Sequence, residues 1–181
     1  NTDWHDVIYR DYTTANQHNI NISGGSDIST YFVSGSFYQQ GGIYNAGNED
    51  FKRYSLRAKG SVMLRPWLKL ENNTDFFRRK YHEPIVMYSN SSTDNTQIFP
   101  IQRQLEQQAY PMTLERNPDG TWTECATYIG WAGFVEGTSF REDSKFDLRN
   151  TTTVTVDFFK DILVGKADFT YFYNQSNRNQ V

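Results

Sequence analysis

The residue types that most often perform chemistry in proteins are few in this sequence and are not spaced for it. His5, His18 and His82 lie far apart and lack the short spacings of metal ligands. Cys125 is the only cysteine, so no CxxC pair exists, and no serine lies in a GxSxG turn that would expose a nucleophile. We therefore expect no catalytic residue, no metal and no cofactor, and the protein is not predicted to be an enzyme.

Three aromatic residues are candidates for contact with a substrate or a partner. Trp122, Tyr128 and Trp131 lie in a long segment, about 78–145, in which apolar residues show no regular period. Exposed rings of this kind stack on sugar rings or on a partner protein. The alternative is that they pack against one another, since a long loop needs a small core of its own. Within this segment we expect a short helix over 101–109 and a short strand over 128–135.

The composition favours strands that have one wet face and one apolar face. Aromatic residues make up 16% of the chain, whereas all hydrophobic residues together make up only 37%. Such a mixture suits amphipathic strands better than a large aliphatic core. The formal net charge of -3 gives no reason to expect a nucleic-acid partner.

Apolar and polar residues alternate along most of the remaining chain, which predicts β-strands. The predicted strands are about 15–24, 28–41, 51–64, 67–78, 146–158 and 163–175. Charged residues within them fall on the polar side of the alternation: Arg57, Lys59, Lys69, Glu71, Asp75, Arg149, Asp157, Lys166 and Asp168. In a barrel these side chains would line a wet lumen, and their mixed signs predict no strong preference for anions or cations.

The connections between these strands alternate between short and long. They are short near Gly25, longer over 41–50, short at Arg65-Pro66, very long over 78–145 and short near Asp161. An up-and-down transmembrane barrel produces this alternation, with tight turns at its periplasmic end and long loops outside.

Two readings of the alternating strands remain open from the residues alone. In a barrel, aromatic residues near the strand ends would form the interfacial girdle; the candidates are Phe51, Tyr54, Trp67, Tyr171 and Tyr173. A soluble all-β binding or structural domain would instead pack its aliphatic residues into one dry core. The residues that would form that core are Leu56, Val62, Leu70, Val154 and Phe169.

Several stretches of the chain resemble the SusC/RagA family of TonB-dependent transporters. Residues 1–10, NTDWHDVIYR, resemble the N-T-D-W-x-D-x-I-[FY]-R stretch of that family, and 17–25, QHNINISGG, resemble its segment ending in S-G-G. Shorter matches follow in the same order over 31–35, 40–43 and 51–57, and the NPDGTW sequence of 117–122 resembles a family loop. The close resemblance covers about residues 1–70.

The resemblance implies an all-β fold, a roughly 22-stranded antiparallel transmembrane barrel closed by a plug. The chain would be a fragment holding about six early strands of the barrel domain, with the plug and the TonB box lying before Asn1. The implied function is TonB-dependent import of oligomeric nutrients across the outer membrane of a Gram-negative bacterium. Oligosaccharides are the expected cargo and peptides the alternative.

The resemblance also implies partners and excludes others. A SusD-like surface lipoprotein, the TonB complex and the lipid bilayer are expected, and nucleic acid is not. The long outer segment is the candidate contact for the lipoprotein or the substrate. A receptor for iron chelates would share the barrel without the NTDW and SGG matches, and a barrel enzyme would need a catalytic cluster that the sequence does not supply.

Overall fold

The computed structural model of the chain describes residues 1–85, 87–89, 96–98, 107–137, 140–159 and 162–181, and only the backbone of 87–89 and 96–98. The helix predicted over 101–109 and the turn predicted near Asp161 fall mainly outside these ranges. Of the described helices, none has both the length and the apolar character needed to cross a membrane.

Six long strands form one open antiparallel sheet, in which each strand pairs with the next long strand along the chain. This confirms the prediction of an all-β antiparallel fold. The long strands are β1 (Ala15–Ser26), β2 (Ser29–Gly41), β3 (Asp50–Arg65), β4 (Leu68–Pro84), β7 (Phe140–Asp157) and β8 (Val164–Gln180). Between β4 and β7 lie the short pair β5 (Met87–Ser89) and β6 (Thr96–Ile98). The described helices are α1 (Trp4–Ile8), α2 (Glu124–Tyr128) and α3 (Trp131–Glu136).

Three long strands extend further than predicted. β4 continues to Pro84 rather than 78, β7 begins at Phe140 rather than 146, and β8 ends at Gln180 rather than 175. The alternation fails there because both sides of these strands carry polar residues, so a period of two is invisible. Ion pairs between strands take the place of apolar contacts: Lys80 lies 2.7 Å from Glu142, and Arg141 pairs with Glu83. The long connection is accordingly 85–139, shorter than the predicted 78–145.

The strand predicted over 128–135 is wrong, because this stretch contains parts of two helices. Thr123 begins α2 by accepting the amide proton of Ala126 on its side chain, as an N-cap does. Gly130 then takes a left-handed conformation, φ 84°, between α2 and α3, where glycine avoids the strain of a side chain. Ile129 and Phe134 are buried on the inner side of this helical turn.

Short connections lie at one end of the sheet and long ones at the other. Residues 27–28 join β1 to β2, 66–67 join β3 to β4, and 158–163 join β7 to β8. The N-terminal segment, residues 42–49 and residues 85–139 leave the opposite end. This distribution follows from the antiparallel register of consecutive strands, and it matches the short and long connections read from the sequence.

The two faces of the sheet differ sharply in chemistry. Residues that pair across neighbouring strands point to the same face of the sheet. One face, the polar face, includes Arg57 and Asp75, and the other, the apolar face, includes Leu56. The apolar face is uncovered: Leu56 is 50% exposed and Phe169 is 71% exposed. Every buried hydrophobic residue in the described ranges lies outside the six long strands. The dry core that a soluble domain would build from Leu56, Val62, Leu70, Val154 and Phe169 is therefore not formed in the described part of the chain.

One cluster of polar side chains interrupts the apolar face where β4 meets β7. The amide nitrogen of Asn72 donates to the oxygens of Asn150 and Thr152. The amide of Asn150 donates in return to Asn72 and, at 2.7 Å, to Thr74. The two threonine hydroxyls donate back to the asparagine oxygens. These four residues, the Asn–Thr cluster, thus satisfy one another across the two strands.

Candidate functional site

The polar face is concave and carries all nine charged residues predicted from the alternation. The register places them on one side of the sheet: Arg57, Lys59, Lys69, Glu71, Asp75, Arg149, Asp157, Lys166 and Asp168. A hollow of about 730 Å³ lies over this face and is lined by residues of all six long strands, Asn19 of β1 and Phe172 of β8 among them. The sheet therefore curves around its wet side.

Most of the predicted charges are paired with an opposite charge or with a hydroxyl group. Arg57 pairs with Asp75, which faces Arg149 across β4 and β7. Lys69 lies 2.9 Å from Glu71, and Asp168 accepts a hydrogen bond from Thr153. The ion-paired side chains are between 29% and 51% exposed, and exposed pairs of this kind add at most about 1 kcal/mol to stability.

Three further cations on the polar face form a row that the sequence did not reveal. Arg53, Arg79 and Lys145 are direct register partners on β3, β4 and β7. We call these residues the cationic row. The predicted strands ended at 78 and began again at 146, so Arg79 and Lys145 lay outside them. The extra length of β4 and β7, together with the register, is what brings the three side chains together.

The long connections fold into a cap at one end of the sheet, built from residues 1–12, 42–49 and 107–137. Its core is a cluster of buried residues: Trp4, Ile8, Ala126, Ile129, Trp131 and Phe134. The indole nitrogen of Trp4 donates to the carbonyl of Tyr110 at 3.2 Å. The side-chain amide of Asn45 donates to the carbonyls of residues 6, 7 and 9 at the end of α1. These bonds join segments that are distant in the sequence.

The three aromatic candidates occupy different environments in the cap. Trp131 is 2% exposed, and its indole nitrogen donates to Glu115 at 2.9 Å. Trp122 is half-buried, because the guanidinium of Arg116 lies 3.5 Å from the centre of its ring. Tyr128 is 56% exposed. Only Tyr128 among the three presents most of its ring to the surroundings, so it is the residue best placed for contact with a substrate or partner.

Tyr44 and Glu49 connect the cap to the sheet. The Tyr44 ring stacks on Tyr9 at 5.5 Å between centroids and meets Phe134 edge-on at 5.2 Å. Burial of the phenol raises the pKa of Tyr44 to about 12, with smaller contributions from neighbouring acidic groups. Glu49 accepts a hydrogen bond from the Tyr81 hydroxyl of β4 at 2.8 Å and one from the amide of Ile43 at 3.1 Å.

Aromatic rings form a band across the apolar face, close to the cap. Phe37 and Tyr54 lie 5.1 Å apart between centroids, and Phe146 lies 5.2 Å from Phe76 and 5.9 Å from Tyr173. We call these five residues the aromatic band.

The other girdle candidates are placed differently. Tyr171 lies on the apolar face in the same register set as Tyr173. Trp67 is in the turn between β3 and β4 and is 53% exposed. The prediction for Phe51 is wrong, because its ring lies on the polar face between Tyr38 and Tyr81.

Comparison with known proteins gives one similarity to a receptor. A stretch of 73 residues, 40% of the chain, is 33% identical to the TonB-dependent receptor P3 of Formosa agariphila. The match spans 7% of that receptor's length. No family model matches the chain. The similarity supports a relationship to TonB-dependent receptors in general, and the relative is named as a receptor rather than as an enzyme.

Proposed function

We propose that this chain forms six consecutive strands in the wall of an outer-membrane β-barrel that imports oligomeric nutrients in a TonB-dependent manner. More narrowly, we assign it to the SusC/RagA family and to a barrel of roughly 22 strands. The similarity to a TonB-dependent receptor supports the broader assignment. The motifs in residues 1–70 and 117–122 support the narrower one.

The observation that carries the proposal is the contrast between the two faces of the sheet. The apolar face is open along its length, with Ile20 67% and Phe169 71% exposed, and it is bordered by the aromatic band. A face of this kind is stable against lipid hydrocarbon, and aromatic girdles lie at the membrane interfaces. The opposite face is concave and charged, as the wall of a water-filled lumen is.

The outer strands of the sheet support the same reading. β1 pairs only with β2 and β8 only with β7 among the described strands. In hydrocarbon, each backbone group left without a partner on these edges would cost several kcal/mol. Strands from the rest of the receptor must therefore pair with β1 and β8 and close the wall.

The proposal assigns each part of the chain a location in the receptor. The tight turns face the periplasm and the cap faces outward, where a SusD-like lipoprotein would cover it with Tyr128 at the contact. The nine charged residues line the lumen. TonB, acting on a plug elsewhere in the receptor, would open the path, and oligosaccharides are the proposed cargo. Peptides are the alternative cargo.

A pair of neighbouring residues tests the membrane assignment directly. Leu56→Cys and Arg57→Cys, each made in the complete receptor with Cys125→Ser, carry a fluorophore on opposite faces of β3. We expect brominated lipid to quench the probe at 56 and aqueous iodide to quench the probe at 57. Quenching of both probes by iodide alone would contradict a lipid-facing surface.

Growth measurements test the cargo. A strain lacking the receptor should fail to grow on an oligosaccharide that the parent strain uses, and should regain growth when the gene is restored. Loss of growth on peptides alone would redirect the assignment to the peptide importers of the family. A lipoprotein that co-purifies with the wild type and is lost with Tyr128→Ala would support the proposed lid contact.

A further inference from the structure

We propose that the cationic row binds anionic groups of the imported solute, and that the solute is an acidic oligosaccharide. The inference rests on the proposed function, since it requires the polar face to line the import path. It changes the expectation that mixed signs on this face give no preference for anions or cations. The charges are mixed along the face as a whole, but Arg53, Arg79 and Lys145 are grouped.

The grouping has an electrostatic cost that a bound anion would remove. Neighbouring strands lie about 4.8 Å apart, so three consecutive cations fall within about 10 Å. Like charges about 5 Å apart repel each other in water, and more strongly in a narrow lumen of lower effective dielectric. Like charges placed directly opposite each other also weaken a sheet. A bound anion would relieve this repulsion.

Within the described ranges, Asp143 of the next row toward the cap is close enough to Arg79 to interact with it electrostatically, but its ion pair is with Arg178. Several other cations of the polar face are ion-paired: Arg57 pairs with Asp75, Arg141 with Glu83, and Arg178 with Asp143 at 2.7 Å. Within the described ranges Lys59, Arg149 and Lys166 form no such pair, but they are not grouped in one register row as the cationic row is. Lys145 lies 3.6 Å from Asp147. Within the described ranges, neither Arg53 nor Arg79 forms an ion pair with a carboxylate. Both guanidinium groups are therefore available to an incoming anion.

Aromatic rings beside the row favour a sugar over a peptide. Tyr38 lies in the same register row, with the guanidinium of Arg53 5.3 Å from its ring centre. Phe51 and Tyr81 lie in the next row toward the cap, with ring centres 6.5 Å apart. The ring of a uronate has an apolar face that can pack on such aromatic rings while its carboxylate reaches a guanidinium. Arginine binds carboxylates through two parallel hydrogen bonds. An acidic peptide would use the cations and leave the rings unmatched.

The row also lies where an entering solute would pass. It is on the side of the sheet that leads to the cap, with Phe51 and Tyr81 between it and the connection at 42–49. The hollow begins beside Lys145 and continues along the face to Phe77 and Phe172. A charged polymer arriving from the cap would therefore meet the row before it reaches the hollow.

Calorimetry on the complete purified receptor tests the inference with three probes: oligogalacturonate, a neutral dextran oligomer and oligoglutamate. We expect oligogalacturonate to bind most tightly, and Arg79→Gln to weaken its binding about tenfold or more, since a charge-assisted hydrogen bond contributes about 1.5–3 kcal/mol. Arg53→Gln should act in the same direction, and Arg79→Lys should retain part of the affinity. Arg78→Gln is the matched control, because it removes the same charge from the neighbouring residue on the opposite face.

Each other outcome overturns a stated part of the inference. Unchanged oligogalacturonate binding in Arg79→Gln and Arg53→Gln would show that the row does not recognise the solute. If those variants also unfolded at a lower temperature, carboxylates of the receptor itself would be the partners of the row. Tighter binding of oligoglutamate would overturn the assignment to sugars. These outcomes can be distinguished from a failure of the proposed function itself, which the quenching experiment at residues 56 and 57 would reveal.

Discussion

Besides Gly130, the glycines Gly47 and Gly120 of the cap take left-handed backbone conformations, and these two differ in the space around them. Gly47 has φ 75° and Gly120 has φ 83°. A Cβ on Gly47 would lie 2.6 Å from Cγ of Pro84 and 3.5 Å from a ring carbon of Phe134, whereas a Cβ on Gly120 would meet nothing within 4 Å. At Gly120, glycine is required only because the backbone is left-handed. At Gly47, glycine is required for the left-handed backbone and also because a side chain would collide with Pro84 of β4.

Substitution by alanine should separate these two requirements. Gly120→Ala carries only the cost of a left-handed alanine, about 1–2 kcal/mol. Gly47→Ala adds the clash with Pro84 and should cost roughly 2–4 kcal/mol in all. Limited proteolysis of the cap in the complete receptor would measure both. Equal protection in the two variants would mean that residues 42–49 are not packed on Pro84.

The phenol of Tyr44 should make the stability of the cap depend on pH at high pH. Its pKa is raised from 10 to about 12 in the folded cap. Between these values the folded cap retains a proton that the unfolded chain has lost, so the contribution is complete below pH 10 and disappears as pH rises through 12. Tyr44→Phe should reduce the loss of protease resistance over this interval. Parallel losses in the variant and the wild type would contradict the burial of the phenol.

At the scale of the strands, the Asn–Thr cluster favours one register between β4 and β7. A tight turn fixes the register of β1 with β2 and of β3 with β4, but residues 85–139 separate β4 from β7 and cannot do so. On the proposed lipid-facing side, a shift of one residue would leave the side chains of Asn72 and Asn150 without their partners. The cluster therefore favours one register of this pair, and the polar residue that broke the apolar pattern has a structural role.

Leucine substitutions test whether Asn72 and Asn150 depend on each other, because the costs in stability of the two substitutions should then not add. Asn72→Leu or Asn150→Leu alone should destabilise the receptor by about 1–3 kcal/mol in lipid, because the remaining amide loses its partner. The double variant should cost less than the sum of the two, since it leaves no asparagine unpaired. Urea titration of the folded barrel measures all three. Additive costs would show that the two side chains act independently.

The strands differ in how well the sequence predicted them, and the reason is the chemistry of their two faces. Leu56 and Val62 alternate with Arg57 and Lys59, so β3 was evident from the period. Beyond Phe77, Arg78 and Lys80 on one face alternate with Arg79 and Tyr81 on the other, and the contrast disappears. The cationic row lies in this region, which is why it could not be predicted from spacing.

At the scale of the whole molecule, the fold class was predictable but the cap was not. The alternation of apolar and polar residues and the lengths of the connections are local properties of the sequence. They predicted the antiparallel sheet and the end of the sheet at which the long connections lie. The core of the cap joins Trp4 to Ile129 and Phe134, and no local pattern connects residues so far apart. Short helices such as α1 also have too few residues to show a period of 3.6.

The contrast between the apolar and polar faces predicts that an introduced arginine will destabilise the protein on the apolar face and be tolerated on the polar face. Val33 lies on the apolar face and Ser36 on the polar face of the same strand. Val33→Arg should destabilise the receptor by about 2–4 kcal/mol if it lies near the bilayer midplane, whereas Ser36→Arg should be tolerated in a wet lumen. The amount of heat-modifiable protein in the outer membrane measures both. Tolerance of Val33→Arg would contradict the proposed lipid-facing side.

The bond from Trp4 to Tyr110 spans 106 positions of the chain, and this separation has a consequence for the order of assembly. Neighbouring strands joined by two-residue turns can pair early, because closing a short loop costs little entropy. The Trp4 contact brings together segments that are far apart in the sequence, and distant contacts of this type form slowly. The cap should thus form after the hairpins of the sheet, and an incompletely folded chain would contain paired strands without an ordered cap.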